Sequence, residues 1–172
     1  MRLIILGFIV FYLGIVFGLY SEEVFCRIEA YGILEPQGNT FYSFEEEKLV
    51  KRYKSVHLIQ KTSHIDPVLG LNFGIIYKLY NIYTDGHLDT VEERILFPSQ
   101  GKKQRELIQI SSKILPENGV AESFMIFSFD QEEEMKIGTW FFYILYRGKI
   151  LCGFSFEVQK EDDFHPPRLK LK

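Results

Sequence analysis

Histidine, cysteine and acidic side chains are the residues of this 172-residue chain that could assemble a reaction centre. Two of the four histidines sit in His-x-Asp triplets, His64-Ile65-Asp66 and His87-Leu88-Asp89. On a strand, positions i and i+2 share a face, so each triplet can present two ligands together. Zinc needs three or four converging groups, and no spacing in the chain joins the two triplets. Both lie beside turn residues, Asp66-Pro67 and Asp85-Gly86, where Asp and His serve turns and solvent. His64, Asp66, His87 and Asp89 are therefore weak metal candidates, and no metal or other cofactor is expected. No Gly-x-Ser-x-Gly elbow supplies a nucleophile, and no glycine-rich loop could cradle a phosphate. The carboxylate runs Glu45-Glu46-Glu47, Glu92-Glu93, Glu132-Glu133-Glu134 and Asp162-Asp163 read as solvated faces, since acid/base pairs must face each other across a cleft. No catalytic residue is assigned.

Cys26 and Cys152 form the sharpest pair. The alternations Cys26, Ile28, Ala30 and Ile150, Cys152, Phe154 put both thiols on inward faces. In an oxidising compartment they could be bonded, provided their Cα atoms lie within about 7 Å. The alternative is two separate buried thiols.

The elements that would position these residues are mostly strands. From Glu22 onward the dominant period is two: Leu71, Phe73, Ile75, Tyr77 and Leu79 alternate with Asn72, Gly74, Ile76, Lys78 and Tyr80, which describes one buried face. Further strands are expected at 53–63, 90–97, 106–112, 123–129, 139–146 and 150–158. The run Trp140-Phe141-Phe142-Tyr143-Ile144-Leu145 is apolar on both faces, so it belongs at the centre of a sheet. Arg147-Gly148-Lys149 joins it to the next run, a hairpin signal. Ser43-Phe44-Glu45-Glu46 resembles a capping box, which predicts a short helix over 45–53. Strands and turns without interleaved long helices predict an all-β, immunoglobulin-like antiparallel sandwich of about seven or eight strands, with a closed barrel as the alternative.

Ahead of this domain, Leu3 to Tyr20 runs for 18 residues without charge or proline, behind Arg2. A helix of that length approaches the roughly 30 Å of a bilayer core. Residues 1–21 are expected to be a hydrophobic helix serving as a signal peptide or signal anchor. The leading positive charge retains that end in the cytoplasm and sends residues 22–160 outward. The expected location is periplasmic, or anchored in the cytoplasmic membrane facing outward. Residues 161–172 read as a charged tail. With 16 Phe, 10 Tyr and 1 Trp, the chain has enough apolar surface to fold. A net charge of −3 disfavours nucleic acid as a partner.

The order of these pieces resembles an uncharacterised bacterial family, domain of unknown function 3859. The resemblance rests on Ile65-Asp66-Pro67-Val68-Leu69-Gly70-Leu71-Asn72-Phe73-Gly74, on Gly138-Thr139-Trp140-Phe141-Phe142, and on the closing hairpin Tyr146–Val158. Glu29-Ala30-Tyr31-Gly32 and Phe97-Pro98 fall in matching places. It implies an immunoglobulin-like, often exported domain, and no activity.

These readings favour an exported, non-catalytic module that binds another envelope protein, with membrane contact only through residues 1–21 if they are retained. A two-layer sandwich buries one face of each strand, so Phe141, Tyr143 and Leu145 would lie on the outer face and form a binding surface. Something must cover that face: the segment 41–53, a partner or the membrane. The alternatives are a carrier with aromatics lining a pocket between the sheets, and a metal-assisted hydrolase.

Overall fold

The structure, a computed structural model, describes residues 23–38, 41–45, 48–84, 86–99 and 105–160. The expected N-terminal helix and charged tail lie outside the described residues. Among the described residues, no helix is long and apolar enough to cross a membrane.

Two sheets face each other. β1 (Phe25–Gln37), β4 (Ser55–Gln60), β6 (Asn72–Tyr80) and β9 (Val120–Ser128) form a four-stranded sheet in the order β4-β1-β6-β9. β5 (His64–Ile65), β7 (Asp89–Phe97), β8 (Glu106–Ile114), β10 (Gly138–Tyr146) and β11 (Lys149–Val158) form a five-stranded sheet in the order β5-β11-β10-β7-β8. Among the described residues the all-β sandwich thus carries nine strands in its two layers, more than the sequence predicts. β10 is the central strand, consistent with its apolar character on both faces. One pairing departs from the antiparallel expectation. The chain crosses from the four-stranded sheet at β4 to reach β5, and arrives running parallel to β11, with Glu157 opposite His64.

The helix expected over 45–53 is a hairpin instead. β2 (Phe41–Glu45) pairs with β3 (Lys48–Arg52), Glu45 opposite Lys48 and Phe41 opposite Arg52. Aromatic residues in one arm and Leu49-Val50 in the other suit a pleated ribbon. The backbone pairing runs over all five positions of each strand, and it outweighs a single helix-start signal.

Period two sets the core. Phe73, Ile75, Tyr77 and Leu79 of β6 face Trp140, Phe142, Ile144 and Tyr146 of β10, and all are buried. Phe73 lies at the middle, its ring centroid 5.2 Å from Phe129 and Phe156, 5.6 Å from Phe142 and 5.7 Å from Trp140. The Trp140 indole N–H, which would be costly to bury unpaired, donates to Lys136 O at 2.8 Å. The aromatics between the sheets pack on one another, and this weakens the carrier reading at that place.

Arg147 and Gly148 both have positive φ, 50° and 77°, as a two-residue type I′ hairpin demands. Gly74 answers a different need. A Cβ there would collide with the backbone carbonyl of Met125 on the paired strand β9, and neither backbone can move without breaking the sheet ladder. Gly74→Ala is expected to lower stability by about 2 kcal/mol or more, read as a shift in the urea midpoint. An unchanged midpoint would show that β6 and β9 do not approach this closely.

Candidate functional site

On the outer face of the five-stranded sheet, Phe141 of β10 stands between Leu96 of β7 and Ser155 of β11, and Tyr143 between Arg94 and Gly153. The two rings are parallel within 4°, their centroids 6.1 Å apart. Gly153 explains the attitude of Tyr143. A Cβ at that position would lie 2.7 Å from Tyr143 Cδ1 and 2.9 Å from Cε1, so only glycine lets the ring lie down on the sheet. The Arg105 guanidinium sits 4.6 Å from the Phe141 ring centre while donating to Thr139 O at 2.5 Å. Beside Tyr143, Arg94 donates to Gln109 Oε1 at 3.0 Å and to Glu92 Oε2 at 2.9 Å. The result is a half-exposed aromatic pair in a polar frame.

Leu145 keeps the phase of Phe141 and Tyr143, since the register with β7 runs unbroken to Leu145 opposite Glu92; the bulge beside it has its extra residue, Leu151, on β11. Leu145 is nevertheless only 2% exposed, so the exposed stripe ends at Tyr143. Of the three coverings considered, the segment 41–53 has its last residue tied to the other sheet: Tyr53, just after β3, shares a hydrogen bond with Ser128 at 3.3 Å, on the four-stranded sheet.

The metal candidates stay apart. His64 and Asp66 lie where β11 finishes, while His87 and Asp89 lie where β7 begins. The antiparallel register of β7, β10 and β11 makes these opposite ends of the sheet. Among the described residues no group of three His, Cys, Asp or Glu side chains could hold a metal ion. Asp89 is committed locally. It accepts from Tyr146 Oη at 2.6 Å and from the Thr90 backbone N–H at 2.7 Å, with Arg147 at 3.9 Å. The Tyr146 hydrogen bond is the main reason its carboxyl is held below the usual range; burial works the other way, and Thr90, Arg147 and Lys113 add to the lowering.

Cys26 of β1 and Cys152 of β11 are joined as a disulfide, with Cα atoms 5.6 Å apart. The bond links the two sheets across 126 residues of sequence. Beside it, Tyr31 of β1 stacks on Phe154 of β11 at 4.1 Å. A second link between the sheets was hidden inside an acidic run. Glu93 is 3% exposed and accepts from Tyr77 Oη of the opposite sheet at 2.8 Å and from Ser112 Oγ at 2.9 Å. The reading of Glu92-Glu93 as a solvated pair therefore holds for one residue only. The signal was present in the phase, because Glu93 shares its face with Val91, Ile95 and Phe97.

These features define an immunoglobulin-like β-sandwich with a partly exposed aromatic face. The chain belongs to the family described as domain of unknown function (DUF3859), which matches residues 22–158. Among solved structures, it is similar to an immunoglobulin-like protein from Pseudomonas aeruginosa, with 22% identity and a TM-score of 0.53, over 81% of this chain and 99% of that one. A β-glucosidase from Listeria innocua aligns at 9% identity and a TM-score of 0.45, over 79% of this chain and 16% of the enzyme. No curated protein matches.

Two expectations follow. In the chain-entropy account, a bond spanning this much sequence stabilises by up to about 5 kcal/mol. Cys26→Ala/Cys152→Ala should lower the urea midpoint strongly, and dithiothreitol should do so in the wild type but not in the variant; insensitivity of the wild type to reductant would mean that the thiols are not bonded. The second concerns Asp89. Its folded-state pKa is lowered, so its contribution is present above the unfolded value of about 3.9 and is lost as pH falls through the folded value. Tyr146→Phe should therefore lower stability at neutral pH, with the gap to wild type closing as pH drops below about 4. A gap constant with pH would mean that the Tyr146–Asp89 bond does not govern Asp89.

Proposed function

We propose that this chain is an exported, non-catalytic interaction module that binds another envelope protein through the outer face of its five-stranded sheet. The observation that carries the reading is the parallel Phe141–Tyr143 pair, lying flat at the centre of that face. Aromatic side chains ringed by arginine and amide groups are the composition of an interface core and rim. Export is supported by the apolar run Leu3–Tyr20 behind Arg2 and by the pairing of both cysteines, which suits an oxidising compartment. The separation of the two His-x-Asp triplets argues against a metal-assisted hydrolase.

A photo-reactive residue placed at Leu107, exposed on neighbouring β8, is expected to capture a partner in intact envelopes. Phe141→Ala/Tyr143→Ala should reduce that capture about tenfold or more while leaving the thermal transition cooperative. Equal capture by the variant would remove the face from consideration, and recovery of the chain from the cytosol would remove export.

A further inference from the structure

The rows of side chains that cross the five-stranded sheet continue past the aromatic pair. Register carries Phe141 to Leu96 and on to Leu107, and Tyr143 to Arg94 and on to Gln109. Both rows end in the open, because β8 is the last strand of the sheet and, among the described residues, no strand pairs with it beyond β7. Leu107 is 53% exposed on the outer face. On the inner face Ile108 and Ile110 are only half-buried, although Ser112 and Ile114 further along are buried. An added strand would therefore cover apolar area on both faces while its backbone extended the ladder.

Edges are usually shortened, charged or interrupted by proline, because unpaired backbone groups template another strand. β4 and β5 are short, six and two residues long. β9 is as long as β8, but none of its large apolar side chains is exposed. In β8 the run Leu107-Ile108-Gln109-Ile110-Ser111-Ser112 has neither charge nor proline. Charge returns just outside that run. Arg105 lies over the Phe141 ring, and Lys113 Nζ donates to Thr90 Oγ1 at 2.9 Å, so both stand on the outer face with Leu107. Arg94 and Lys136 nearby are matched by Glu92 and Glu106. Among the described residues neither Arg105 nor Lys113 has an ion-pair partner; Asp89, whose charge Lys113 feels, is engaged by Tyr146, Thr90 and Arg147. A second copy of this chain is a poor occupant. Antiparallel pairing of two β8 strands about Gln109 sets Arg105 opposite Lys113, and like charges directly opposite are destabilising. Pairing about Ile110 sets Lys113 opposite Leu107.

We propose that β8 accepts an extended segment of the partner protein as an added antiparallel strand, with aliphatic side chains over Leu107, Ile108 and Ile110 and a carboxylate opposite each of Arg105 and Lys113. Main-chain hydrogen bonds give such a contact its affinity, and alternate side chains give it selectivity. The two carboxylates fix the register, since a slip of one residue would turn them to the inner face. The inference rests on the reading of the chain as a protein-interaction module, and adds the form and chemistry of the segment that it binds. The added strand lies at the end of the Phe141–Leu96–Leu107 row, so the rest of the partner is left beside the aromatic pair.

The probe is a dye-labelled peptide, Asp-Thr-Thr-Val-Thr-Val-Val-Thr-Asp, titrated with the full chain and read by fluorescence anisotropy. Its first residue falls opposite Lys113 and its last opposite Arg105. It is expected to bind about fivefold or more tightly than the same peptide ended by lysines, through an attraction gained and a repulsion removed at each end. Amide exchange should slow in β8 and stay unchanged in β9. N-methylation of the peptide nitrogens that face β8 should abolish binding, since it removes the main-chain donors. Arg105→Glu/Lys113→Glu should reverse the preference in favour of the lysine-ended peptide. Should loss of the Arg105 contact with Phe141 disturb the fold, Lys113→Glu alone should reduce the preference. Equal affinity for the two peptides, tolerance of the N-methyl groups, protection away from β8, or no binding overturns the proposal. Phe141→Ala/Tyr143→Ala should keep peptide binding. If the peptide fails while that variant still loses partner capture, the added strand is rejected and the aromatic face stands; if the peptide binds and the variant captures as the wild type does, the face is rejected and the edge stands.

Discussion

The contact on which the rest of the molecule depends is the meeting of two sheets through the rings around Phe73. Rings from β6, β9, β10 and β11, together with Phe129 just beyond β9, touch at that point. Ring pairs contribute about 0.5–1.5 kcal/mol beyond the area they bury. The contact also constrains direction. Once Trp140 and Phe142 point inward, the pleat obliges Phe141 and Tyr143 to point outward, and a one-residue slip would exchange the two sets. The exposed aromatic pair is thus a consequence of the core as much as a feature of the surface.

Hydrophobic contact is non-directional, so it joins the sheets without fixing their relative position. The directional links do that. The Cys26–Cys152 bond holds the margin where β1 passes β11, and Tyr77 to Glu93 holds the interior between β6 and β7. A carboxyl in an apolar core is costly unless its hydrogen bonds are made. Here donors come from both sheets, so a sliding displacement would strand the acid. Glu93 thereby converts a desolvation cost into a restraint on register.

Much of this was legible because alternation is a local property. The phases of β6, β10 and β11 follow directly from Phe73-x-Ile75-x-Tyr77, Trp140-x-Phe142-x-Ile144 and Cys152-x-Phe154-x-Phe156, and the Arg147-Gly148 turn from its glycine. What escaped depends on partners distant in sequence. The inward role of Glu93 needs Tyr77 from the other sheet. The exposure of Ile150, in phase with Cys152 by alternation, comes from a bulge at Leu151 that only the pairing of β11 with β10 creates. The β2–β3 hairpin overrode a capping signal because cross-strand pairs are invisible in a window of four residues. The parallel arrival of β5 follows from a change of sheet that no local pattern encodes.

The distribution of polar groups decides where function can lie. Inside, the carboxyl of Glu93, the hydroxyls of Tyr77 and Ser112 and the indole of Trp140 all have partners within the fold. At the rim, the Asp89 carboxylate is engaged by Tyr146, Thr90 and Arg147. A general base or nucleophile must instead be aimed at a site where a substrate atom can sit, and these groups are aimed at one another. What the five-stranded sheet presents outward is apolar area in a parallel pair of rings. On the interaction reading proposed above, the covalent bond and the buried hydrogen-bond network beneath that face would lower the entropy lost on binding.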